Sequence, residues 1–172
     1  MHESRTANLL GATALAVSDV VLAAAQREAG VSASGAAALV VLATAPGLSV
    51  TELGRRVGLS QSAAARMVVS LQAAGLLERR AGQGREVAVH LTRTGSATAH
   101  RLLATRGSGL GEVLDALEPA EQRALAGLLG KLLTRLYEHI GSADLLCRLC
   151  DRGSCTTGDV CPVGQAERDR NG

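Results

Sequence analysis

The sequence predicts a mainly α-helical chain with one small β-hairpin, and three observations carry that expectation. Apolar residues recur at three- and four-residue spacing through most of the chain, whereas the two-residue alternation of a half-buried strand appears at EVAVHLT, residues 86–92. Serines with capping potential stand at the heads of successive helical segments. Residues counted as hydrophobic make up 47% of the chain, yet Tyr137 is the single aromatic, so the core must be built from Ala, Leu and Val, which pack most easily between helices. A length of 172 residues accommodates one ordinary domain with an appendage.

The first helix runs through LLGATALAVSDVVLAAAQ, residues 9–26, and Gly30 is its natural stop. Its apolar character and A-x-A ending raise the idea of a signal peptide, but Glu3 cancels Arg5 and Asp19 interrupts the run. The same charge argues against a membrane span, which needs about 20 apolar residues. A cytoplasmic location without a membrane partner is therefore expected. A second, short apolar helix follows, with Ser34 as N-cap and Pro46-Gly47 as its end. Ser49 and Glu52 have the spacing of a capping box, so a third helix should start at Val50. Gly58 stops it, and Ser60 caps a fourth helix whose Ala64, Val68 and Leu71 form an inward stripe while Gln61, Ser62, Ala65 and Arg66 project elsewhere.

Gly75 ends that helix, and Leu76 to Arg80 should pair with the alternating strand through a glycine-containing tip, Ala81 to Gly84, with Val87, Val89 and Leu91 facing inward. From Thr94 the chain returns to helix, and Gly107, Gly109 and Gly111 predict a bend or break. Pro119 stands at a first helical position, and Leu125, Leu128, Leu129, Leu132, Leu133, Leu136 and Ile140 then form one broad apolar stripe. Such a stripe must be covered, by this domain or by a second copy.

Helix, glycine turn, helix and hairpin in that order make a winged helix-turn-helix, a unit that places its second helix in the DNA major groove. The net charge of +2 is too small to argue for nucleic acid, so the arginines are weighed by position. The run from about Ser34 to Gly95, with SVTELGRRVGLSQSAAARMV, LQAAGLLERR and VHLTRTG, resembles the winged helices of the MarR (multiple antibiotic resistance regulator) family, and LEPAEQRALAGLLGKLL is similar to that family's dimerisation helices. The resemblance implies a winged helix-turn-helix flanked by N- and C-terminal dimerisation helices. It divides the chain into an N-terminal dimerisation helix (1–33), a DNA-binding domain (34–95), C-terminal dimerisation helices (96–141) and a cysteine-rich tail (142–172). It also implies a homodimeric transcription regulator, a repressor, that binds a near-palindromic double-stranded operator and responds to a small-molecule effector, metal or oxidant. Carried over by position, Ser60 caps the recognition helix, Gln61, Ser62, Ala63 and Arg66 meet base edges or phosphates, and Arg79, Arg80 and Arg85 belong to the wing. Arginine suits both tasks, since its guanidinium forks onto phosphate or guanine, or enters a narrow minor groove. The chain departs from the family pattern at Val69 and Ser70, where an acidic then a basic residue is common, and in having Gly82, Gln83 and Gly84 ahead of Arg85 where Asp is common.

All four cysteines fall in CRLCDRGSCTTGDVCP, at Cys147, Cys150, Cys155 and Cys161. In a reducing compartment, this C-x2-C-x4-C-x5-C spacing points to metal or redox chemistry before a disulfide framework. Two thiolates three positions apart can turn toward one ion, and Gly153 and Gly158 let the chain wrap back with two more. Zinc in a knuckle-like site, an iron–sulfur cluster, and metal-free thiols are the three readings. His139 precedes the cysteines by two turns and is a weaker ligand candidate; His90 and His100 are ordinary surface or partly buried residues. G-x-S-x-G, P-loop and H-E-x-x-H signatures are absent from the sequence, so an enzyme is not expected. Two other functions stay open: a winged helix used as a protein-interaction module, which the weak basic balance and Val69 on the recognition helix favour, and a small metal or redox protein whose helices only dimerise it.

Overall fold

The computed structural model describes residues 4–81 and 87–172, and it is mainly helical with one small sheet. In chain order the elements are α1 (Arg5–Ala29), α2 (Ala33–Thr44), β1 (Leu48–Ser49), α3 (Val50–Val57), α4 (Gln61–Ala73), β2 (Leu77–Ala81), β3 (Val87–Leu91), α5 (Arg93–Leu114), α6 (Pro119–Ile140), α7 (Ala143–Leu146), α8 (Arg152–Thr156) and α9 (Pro162–Asn171). Helix, turn, helix and hairpin occur where the sequence placed them. The strand β1 was not expected; at two residues it has no periodicity to read. It pairs antiparallel with β3, which lies between it and β2, in the order β1-β3-β2.

The helix starts are set by side-chain caps. Ser49 and Ser60 accept the Glu52 and Ala63 N–H groups at 3.2 Å and 3.4 Å, as expected. The reciprocal half of the Ser49–Glu52 box is not formed, because the Glu52 carboxylate accepts from Arg55 and Arg56 instead. The cap of α2 is Ser32 and not Ser34: Ser32 Oγ accepts from the Gly35 N–H at 3.2 Å, and Ser34 merely hydrogen-bonds to Ser32. Gly58 closes α3 at φ +76°, a left-handed conformation that a side chain rarely adopts.

Leu39 and Leu42 of α2, Leu53 of α3, Val68 of α4 and Val89 of β3 lose essentially all contact with water and form one core with Leu71, Leu76, Leu77, Ala99 and Leu102. The inward stripe of α4 is Ala64, Val68 and Leu71, with Met67 added. Along β3 the alternation holds at Val89, but Val87 is exposed, because the strand runs past the helices toward the hairpin end.

Two expectations about the flanking helices fail. The helix α5 is continuous through Gly107, Gly109 and Gly111. It packs along α1, and Gly109 lies so close to it that an added Cβ would stand 3.3 Å from Val20 Cγ1, whereas an added Cβ at Gly107 or Gly111 would meet open space. Asp19 does not remove the membrane-span reading on composition alone, since Arg5–Ala23 is still long and apolar enough to cross a bilayer. What distinguishes this helix is its packing on α5.

The tail is also more structured than a loop. Residues 142–172 form α7, α8 and α9, with α9 against α6 and α7 against α3. The sequence-based boundary at 95/96 falls inside α5, a single helix that touches both the winged unit and α1.

Candidate nucleic-acid interface and cysteine cluster

The turn Gly58-Leu59-Ser60 sets α4 against α3 and leaves one side of α4 to solvent. Ser62, Arg66 and Val69, spaced i, i+4, i+7, line that side, and Gln61 and Ser70 flank it, all exposed. Ala63 is half-buried beside the cap. The helix carries no acidic residue, and Arg66 has no ion-pair partner among the described residues. A helix with a positive dipole end, small polar side chains and one unneutralised guanidinium is suited to a polyanion.

The wing arginines are not equivalent. Arg79 and Arg80 are both exposed, but successive strand residues project from opposite faces, and Arg80 donates to Glu78 at 2.9 Å. Arg79 is therefore the better placed of the two for a phosphate. Arg85 and the hairpin tip, 82–86, lie outside the described residues.

The arginines of α3 have a different use, which sequence reasoning missed. Arg55 donates to Glu52 at 2.8 Å and to Asp144 of α7 at 2.9 Å, and Arg56 donates to Glu52 at 2.8 Å and stands 3.7 Å from Asp144. Two arginines hydrogen-bonded to one carboxylate hold Glu52 well below the usual range, at about 2. The i, i+3 and i, i+4 spacing of Glu52 to Arg55 and Arg56 was a legible signal; nothing in the sequence pointed to Asp144. The same Asp144 carboxylate is 3.5 Å from Arg152, which starts α8.

The four cysteines come together. Cys147 and Cys150 close a tight turn, with the Cys150 N–H donating to the Cys147 carbonyl at 2.9 Å; Cys155 lies on α8, and Cys161 is the N-cap of α9. All four thiols, each partly buried, line a pocket walled by Arg106 of α5, Leu133 of α6 and Val163 of α9. The hydrogen bond between the first two lowers the Cys147 pKa and, together with burial, raises that of Cys150; burial raises Cys155 to about 11. Among the described residues no group of three or more His, Cys, Asp or Glu side chains stands ready-made for a metal. His139 is exposed on α6 and does not line the cysteine pocket.

Helix-turn-helix, three-stranded antiparallel wing and long flanking helices define a winged helix-turn-helix protein. Residues 29–86, about a third of the chain, match the model of the MarR family. Rv2887, a MarR family protein of Mycobacterium tuberculosis, is similar in its complex with DNA (TM-score 0.62, 26% identity, covering 76% of this chain and 98% of that one). It is also similar in its complex with salicylic acid (TM-score 0.59, 28% identity, 76% and 98%). The YusO protein of Bacillus subtilis shares the fold at 24% identity (TM-score 0.64, 72% and 88%). No curated protein matches the chain in sequence.

Proposed function

We propose that this protein is a homodimeric transcription repressor of the MarR type, acting in the cytoplasm on a near-palindromic DNA operator rather than as an enzyme. The observation that carries the reading is the exposed face of α4: polar, free of acid and centred on Arg66. In the major groove, Gln61, Ser62 and Arg66 would meet base edges or phosphates, and Val69 would offer an apolar contact to a thymine methyl. Arg79 and Arg85 would follow the flanking backbone or minor groove.

The dimer is supported by apolar surface left uncovered at both ends of the chain. Leu9, Leu10 and Leu15 of α1 and Leu128, Leu129, Leu132, Leu136 and Ile140 of α6 are exposed in the single chain. A second copy covers them and sets two recognition helices to half-sites about 34–36 Å apart. The salicylate complex of Rv2887 supports an effector-responsive regulator, with a small aromatic acid as one class to try. The test is a gel-shift titration on the DNA upstream of the protein's own gene at two salt concentrations. Binding that weakens with salt supports the repressor reading. Absence of salt-dependent binding would instead leave the exposed Val69 face as a protein-interaction surface.

A further inference from the structure

The cysteine pocket touches more of the molecule than a tail needs to. Its walls come from α5, α6 and α9, and the short helix that leads into it, α7, lies on the helix-turn-helix. Leu145 reaches over the turn, its Cδ1 only 2.9 Å from where a Cβ on Gly58 would stand, and Leu149 packs on the edge of the lobe's core. Asp144 ties Arg55 and Arg56 of α3 to Arg152, at the mouth of the cysteine loop. We infer that Cys147, Cys150, Cys155 and Cys161 form a tetrathiolate zinc site, and that the bound ion locks α7 against α3 and so holds the recognition helix in its DNA-binding pose.

Three observations besides the spacing favour the ion. The Cys161 sulfur accepts the Gly164 N–H at 3.4 Å, a hydrogen bond that stabilises thiolate charge and orients the sulfur. Binding follows 4 RSH + Zn²⁺ → Zn(SR)₄²⁻ + 4 H⁺, which leaves two negative charges. Arg106 lines the pocket, and Arg152 stands beside its thiols, so two guanidinium groups balance them. The four thiols also line one pocket, and closing them onto a tetrahedron with Zn–S bonds of about 2.3 Å needs sulfur–sulfur edges of about 3.8 Å.

The site does not depend on the DNA-binding reading; the coupling to the operator does. Full-length protein is purified reduced, its metals are measured, and zinc is then removed with a chelator and restored. The reduced protein should be colourless and hold a zinc ion in each chain, and Cys155→Ser should lose it. Removal should speed amide exchange in residues 143–163 and, through Asp144 and Leu145, in residues 50–57, and zinc alone should reverse both. Operator affinity should fall roughly tenfold with zinc removal. Asp144→Asn should keep its zinc but show the faster exchange at 50–57. Wild-type protein that takes up no zinc, Cys155→Ser with full zinc, or a brown iron-containing protein overturns the zinc site. Unchanged exchange at 50–57 on zinc loss overturns the lock. A wild type that binds no DNA defeats the repressor reading alone, since metal content and exchange still decide the site.

Discussion

The winged lobe and the C-terminal region of this chain are held by different forces. In the lobe, Leu39, Leu42, Leu53, Val68 and Val89 are sealed from water within one core. Beyond Leu102, the buried apolar side chains among the described residues are Tyr137 and Val163, while the leucines of α6 face outward. Burying a large aliphatic side chain is worth about 1.5–3 kcal/mol, so the lobe has its stabilisation built in. The C-terminal region draws on ion pairs such as Arg55–Asp144 and leaves the leucines of α6 exposed. The lobe should therefore keep its fold in variants that disturb the region beyond it.

The largest expected effects break the lobe itself. Gly95 approaches the backbone so closely that an added Cβ would stand 1.9 Å from the Leu76 carbonyl oxygen, so Gly95→Ala should cost about 4 kcal/mol or more and abolish cooperative unfolding at room temperature. Leu53→Ala should cost about 2–5 kcal/mol, read from urea melts. If either variant melts like wild type, the lobe is not the self-supporting half.

A second pair of substitutions tests the other side of the contrast. Leu128→Glu with Leu132→Glu should weaken self-association by about 2 kcal/mol or more, seen as a shift to monomer in sedimentation velocity, with little loss of helical signal. A double variant that unfolds would show that the α6 face supports the lobe and is not reserved for a second copy. Smaller again, Arg66→Ala should weaken operator binding by about 1–3 kcal/mol and reduce its salt dependence, without altering dimer or melt. Arg80→Ala should do less, because Glu78 already holds that guanidinium.

The smallest effect lies at the seam between the two regions. Arg55 and Arg56 depress the Glu52 pKa from 4.5 to about 2, so the folded state binds the ionised carboxylate better than the unfolded chain does. That stabilisation is fully present above about pH 4.5 and is lost as pH falls through about 2. Glu52 is partly exposed, so the stability gap between wild type and Glu52→Gln should be under about 1 kcal/mol at pH 7 and close on acidification. A gap that stays constant with pH would place the contribution of Glu52 in packing rather than charge.

What could be read from the sequence follows the same division. Short-range rules governed the lobe: Ser49 and Ser60 cap helices, Gly58 stops one, and Ala64, Val68 and Leu71 turn inward, each fixed by neighbours within a few residues. The misses there were local competitions, as where Ser32 captured the Gly35 N–H two residues ahead of the expected cap. In the C-terminal region the sequence displayed a plausible ligand set but not its setting. Arg106 reaches the thiols from α5, and Asp144 reaches α3 across the fold, contacts between residues far apart in the chain that leave no periodic trace. The approach of Gly109 to Val20 of α1 belongs here too, since it joins residues far apart in the chain.

Tyr137 has a consequence for how this molecule can be watched. It is the only aromatic residue, it is buried on α6, and it shares a pocket wall with Ala166, Asp169 and Arg170 of α9. Tyrosine emission and near-ultraviolet dichroism of the unlabelled protein thus arise from one ring at one helix junction. An undocking of α9 would wet that ring and change both signals while the far-ultraviolet spectrum of the lobe stayed still, giving the protein a native optical reporter confined to its C-terminal region.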